Sequence, residues 1–108
     1  MKILENVPRE KVFYFFTSIG NYTGENASSL KEFMEKIRTV DIKSLEFHLY
    51  RGDFERWIAD VLEDKGLAAD IARAKSLNYS GPPLRNVLQD IIDKRYRQLS
   101  SSSSETAY

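Results

Sequence analysis

The sequence predicts an all-α fold: a small bundle of four or five short helices with an aromatic N-terminal segment laid against them. Three observations predict it. Apolar residues recur at helical spacing in successive stretches from Leu30 to Leu99, capping side chains stand where several of these stretches begin, and no second convincing strand accompanies the aromatic run near the N-terminus. At 108 residues, 42% hydrophobic and 30% charged, the chain suffices for one domain and leaves little room for two.

The aromatic run itself, Val12 to Ile19, reads two ways. Val12, Phe15, Phe16 and Ile19 satisfy a helical stripe, and Pro8 before it and Gly20 after it suit a helix. The richness of Phe13, Tyr14, Phe15 and Phe16 suits a strand, which would have to lie as a lone ribbon or pair with another subunit. The Gly20–Gly24 stretch that follows reads as a turn leading to the cap of the next helix. From Ser28 to Val40, Leu30, Phe33, Met34, Ile37 and Val40 form a helical stripe, and Ser29 with Glu32 makes a capping-box pattern. Asp41 caps a second helix carrying Ile42, Leu45 and Leu49, and Gly52 ends it. Phe54, Trp57, Ile58, Val61 and Leu62 follow the i, i+3, i+4, i+7, i+8 pattern from Asp53 to Leu62. A weaker helix from about Lys65 to Lys75 carries Leu67, Ala68, Ile71, Ala72 and Ala74, small enough for a close crossing. After the break at Gly81, Pro82 and Pro83, a last helix presents Leu84, Val87, Leu88, Ile91, Ile92, Tyr96 and Leu99, with Lys94, Arg95 and Arg97 in its final turn. The expected core gathers Phe33, Ile37, Leu45, Phe54, Trp57, Ile58, Ile71, Leu88 and Ile91. The domain should span 1–99, and the Ser-rich run beyond it, with no large apolar side chain before Tyr108, reads as a disordered tail over 100–108.

Composition removes several function classes. Sixteen Lys and Arg balance sixteen Asp and Glu, so no general electrostatic hold on nucleic acid or anionic lipid is expected. Without cysteine there is no disulfide, thiol nucleophile or Cys-based zinc site, which fits a reducing compartment. No apolar stretch approaches the roughly 18 to 20 residues that span a bilayer, and no signal segment opens the chain, so a cytoplasmic protein without a membrane partner is expected.

Phe13, Tyr14, Phe15 and Thr17, then Thr23, Gly24, Ala27 and Leu30, then His48, then Asp53, Phe54, Trp57, Val61 and Leu62, then Leu67 form an ordered set. Together they resemble a prokaryotic, largely archaeal domain family of unknown function, with F-Y-F-x-T, T-G-x-x-A-x-x-L, histidine and D-F-x-x-W-I motifs, over about Val12 to Tyr96. The resemblance implies a domain that stands alone or beside carbohydrate-active enzymes and has no assigned activity. This chain departs from the family pattern at Tyr50, where a second histidine often stands, and in its short Arg51–Gly52 loop. It also departs at Val12, where proline is common and an extended conformation is implied.

His48, the sole histidine, is the one side chain expected to titrate near neutrality, and Arg51 and Asp53 are its nearest polar neighbours. A general base there needs a nucleophile in reach, so the favoured reading is a tie that fastens the Tyr50–Asp53 turn by a hydrogen bond. Asp60, Glu63 and Asp64 lack the spacing of a metal site, and no calcium loop or P-loop is present, so neither metal nor cofactor is expected. Trp57 reads as a core anchor. The two helices Asp53–Leu62 and Lys65–Lys75 could imitate a helix-turn-helix, but the first is acidic and the second offers only Lys65, Arg73 and Lys75, which disfavours nucleic acid.

His48, Tyr50, Arg51, Asp53 and Trp57 are therefore the candidate functional residues, with no catalytic residue assigned. The preferred function is a non-enzymatic interaction or regulatory domain that binds a protein partner or a second copy of itself. An accessory module for nucleotide, sugar or nucleic acid comes second, and an enzyme centred on His48 third.

Overall fold

A computed structural model describes the backbone of residues 5–105 and the side chains through residue 101. The order of elements is a 3-10 turn Arg9–Lys11, β1 Phe13–Ser18, β2 Asn21–Ala27, α1 Leu30–Thr39, α2 Ile42–Arg51, α3 Asp53–Asp60, α4 Lys65–Ser76 and α5 Gly81–Glu105. The two strands form an antiparallel sheet, so the fold is α+β and the all-α expectation is overturned. The aromatic run is the first strand of that hairpin. Its partner is the Asn21–Ala27 segment, which takes in most of the Gly20–Gly24 stretch that reads from the sequence as a turn.

Local chemistry explains why such a segment pairs. Along β1, Phe13 and Phe15 turn into the core while Tyr14 faces solvent, the period-2 alternation of a half-buried strand. The register runs Phe13 to Ala27, Tyr14 to Asn26, Phe16 to Tyr22 and Ser18 to Asn21, with irregularities between the last three pairs. In the first irregularity Gly24 takes φ 90°, a conformation costly for any residue with a Cβ. The Thr23 hydroxyl spans the break, donating to the Phe15 carbonyl at 2.7 Å and accepting from the Glu25 amide at 3.0 Å. Two backbone groups at the break, the Phe15 carbonyl and the Glu25 amide, therefore have a side-chain partner.

Three of the helices, α1, α2 and α4, begin on side-chain caps. Ser29 accepts from the Glu32 amide at the start of α1, but the Glu32 carboxylate reaches back to the amide and hydroxyl of Ser28 rather than to Ser29. These bonds hold the Glu32 carboxyl below the ordinary carboxylate range. Asp41 accepts from the Lys43 amide at 2.9 Å to start α2, and Gly52, at φ 81°, ends it. The third helix is shorter than its apolar stripe: it stops at Asp60, and the chain passes Glu63 at φ 61° before Asp64 caps α4. Asp64 is buried, accepting from the Leu67 amide at 3.1 Å and pairing with Arg95 Nε at 2.7 Å, which fastens the α3–α4 turn to α5.

One core runs through all of these elements. Phe13 lies at its aromatic end, its ring centroid 4.9–5.8 Å from those of Phe15, Phe33, His48, Phe54 and Trp57. Leu45, Leu49, Ile58, Ile71, Leu84, Leu88 and Ile92 fill the helical end, whereas Ile91 is only partly buried against it. The last helix continues past Leu99 to Glu105, so Lys94, Arg95 and Arg97 lie inside it and not in its final turn. Residues 106–108 of the Ser-rich segment lie outside the described residues.

Two outcomes follow from this packing. Trp57→Ala removes an indole that is 8% exposed and whose Nε1 donates to the Lys11 carbonyl at 2.7 Å. Chemical denaturation should show a loss of about 3–5 kcal/mol. Deleting 100–108 leaves every buried side chain among the described residues in place, Leu99 being the last of them, and should move the melting temperature by less than about 3 °C.

Candidate functional site

The hairpin meets the α2–α3 junction in an open cleft of about 460 Å³. Its walls include Val12, Tyr14 and Phe16 from the β1 side, Phe47, His48 and Arg51 from α2, and Asp53, Arg56 and Trp57 from α3. Of the five candidate residues, His48, Arg51, Asp53 and Trp57 come together here. Tyr50 does not: it stands between His48 and Arg51 on α2 but on another face, and its hydroxyl donates to the Tyr79 carbonyl. Burial and the nearby Glu46 hold that phenol above its ordinary value.

His48 is 4% exposed and bonded at both ring nitrogens. The Phe16 amide donates to Nε2 at 2.8 Å, and Nδ1 lies 2.8 Å from Asp53 Oδ2. An acceptor at Nε2 places the single proton of the neutral ring on Nδ1, where it is donated to the carboxylate. Burial, the largest influence, pushes the imidazole below its ordinary 6.5; Asp53 opposes that shift and Arg51 adds to it. A second proton at Nε2 would also face the Phe16 N–H directly, so protonation costs the tie between β1 and α2.

Asp53 carries three partners. Besides His48, it binds Arg51 Nε at 3.4 Å through Oδ2 and Arg56 Nη2 through Oδ1. Arg56 also donates to the Arg51 carbonyl at 3.1 Å, and the Arg51 guanidinium lies 4.8 Å over the Phe47 ring. Gly52 makes this compactness feasible: its left-handed turn sets α3 directly after α2, so residues 51, 53 and 56 converge within one and a half helical turns. Phe47 and Arg56 were not singled out from the sequence. The available signals were the i, i+3 spacing of Asp53 and Arg56, which pairs side chains on a helix, and the place of Phe47 beside His48.

The arrangement can hold and orient. It presents no nucleophile beside a free base, because the imidazole's acceptor is occupied by backbone. Among the described residues no three His, Asp or Glu side chains group as a metal site, and no helix is long and apolar enough to cross a membrane.

Residues 8–107 match the family of unknown function DUF5752. The chain belongs to that family. No curated protein and no solved structure matches it. Membership in DUF5752 therefore brings no assigned activity, and the chemistry must be argued from the cleft.

The His48 network gives a signed pH dependence. Because the folded ring has its pKa depressed below 6.5, its contribution to stability is complete above that value and is lost as pH falls through 6.5 toward the folded value. His48→Gln, which offers an acceptor and a donor but does not titrate there, should flatten this part of the stability profile and keep most of the stability at pH 7.5. His48→Ala leaves the Phe16 amide without its partner and should cost about 2 kcal/mol at pH 7.5. Urea melts of the three proteins between pH 5 and 8 check both signs.

Proposed function

We propose that this is a non-enzymatic binding domain that engages a protein partner through the cleft between β1 and the α2–α3 junction. The observation that carries this reading is the double hydrogen bonding of His48, which makes the sole imidazole a strut of the cleft wall. A ring that accepts from a backbone amide and donates to a carboxylate has no lone pair left for a substrate proton. An enzyme centred on His48 is therefore the weaker reading.

A second observation supports binding. The hairpin exposes Tyr14, Ile19 and Tyr22 beside the cleft, and the Tyr14 and Tyr22 rings contact each other at 5.7 Å between centroids. Aromatic side chains with an apolar body and a polar tip, next to arginines, are the residues enriched where proteins meet. An accessory role in binding nucleotide, sugar or nucleic acid is the second reading and would use the same cleft.

A photoreactive phenylalanine analogue at Phe47, incorporated in cells that make the protein natively, tests the reading. The expected result is a discrete adduct with a protein from position 47 and none from a control label at Lys94 on α5. Equal labelling from both positions, or an adduct only with a small metabolite, would overturn it.

A further inference from the structure

The charge inside the cleft says what kind of partner segment it takes. Of its lining groups, two guanidinia, Arg51 and Arg56, share one carboxylate, Asp53, while burial favours the neutral form of His48. The charged groups lining the cleft thus sum to one positive, in a chain whose formal net charge is zero. Both arginines keep solvent access, their side chains 46% and 61% exposed. Asp53 fixes them from below, and stacking on Phe47 further restrains Arg51. A guanidinium oriented in advance loses little entropy when it binds a carboxylate, and its fork suits two oxygens.

Around this charge the surface is apolar. Phe16, Phe47 and the edge of Trp57 line the cleft, and the exposed strip of Tyr14, Tyr22 and Ile19 continues the surface along the hairpin. A small anion would fill the charged corner and leave that strip bare. An extended chain would cover both.

Resting on the reading of the cleft as a protein-binding site, we propose that its occupant is an extended peptide segment in which an acidic residue stands beside an aromatic or aliphatic one. The carboxylate lies between Arg51 and Arg56, and the neighbouring apolar side chain packs against Phe16, Phe47 and Trp57. The His48 contact with the Phe16 amide occupies the edge of β1 at that point, so recognition is by side chains in the cleft and not by a continuous third strand.

Selection from a library of randomised, displayed hexapeptides on the full chain tests this, with affinities measured by the fluorescence of Trp57, the chain's single tryptophan. Enriched peptides should carry Asp or Glu next to Phe, Leu, Ile, Tyr or Trp. Replacing that acid by its amide should weaken binding about tenfold, the scale of one charge-assisted contact, and only the acidic form should weaken further with added salt. Arg51→Gln and Arg56→Gln, each confirmed as folded by its melting curve, should remove the preference for acid over amide; if Arg51→Gln unfolds, Arg51→Lys replaces it and should reduce the preference. Enrichment of peptides without an acid, or an acid preference that survives both arginine substitutions, would overturn the inference while leaving a binding domain in place. No enrichment from any library would overturn both, and binding to phosphatidylserine vesicles without any peptide response would assign the cleft to a membrane surface instead.

Discussion

The contact between the Phe16 amide and His48 Nε2 is the constraint on which the rest of the architecture depends. A two-stranded ribbon is marginal alone in water and presents unpaired edges. Here α2 lies along one of them, and a side chain 32 residues away in sequence takes the place of a neighbouring strand. The same ring then passes the constraint on through Nδ1 to Asp53 at the start of α3. Strand, second helix and third helix are therefore located by one imidazole, which explains why its burial among Phe13, Phe15 and Phe54 is tolerated: each polar atom has a partner. Trp57 repeats the pattern on the other side of the strand's start, with its indole N–H on the Lys11 carbonyl.

Much of the helical part was legible because its signals are local. Ser29 and Asp41 accept from amides two or three residues ahead, and a left-handed Gly52 announces an end that the sequence states within four residues, whereas the cap at Asp64 was not read from the sequence. β2 was illegible for the opposite reason. Asn21, Gly24, Glu25 and Asn26 have poor strand propensity, and what pairs them with β1 is tertiary: Ala27 buried in the core, Tyr22 packed on Tyr14 and Phe16, and the Thr23 hydroxyl mending the ladder. The chain-end reading of α5 erred similarly, since a serine run has no local stop signal and the helix continues through it to Glu105.

The site divides along the same line. That His48, Arg51 and Asp53 are neighbours follows from the short turn between two helices, and Trp57 from the stripe that carries it. That Tyr50 is absent from the cleft follows from helical geometry too, since consecutive residues point about 100° apart. What no spacing rule supplies is the Phe16 amide, because backbone donors are present at every residue and only the folded hairpin presents this one. The role of His48 therefore depends on a partner that the sequence does not mark.

This dependence also explains why the cleft forms where it does. A hairpin edge covered by a full strand would have left no opening, and an edge covered by an aliphatic side chain would have stranded a buried amide. An imidazole meets the amide with a single atom and keeps the helix far enough away for a space to remain beside it, walled by the rings of Phe16 and Phe47. The carboxylate that fixes the imidazole must in turn have its charge met in a half-buried place, and two arginines meet it. The charged rim of the cleft is thus a consequence of satisfying one backbone N–H: the amide requires the ring, the ring's other nitrogen requires the carboxylate, and the carboxylate draws in the guanidinia that a ligand would meet.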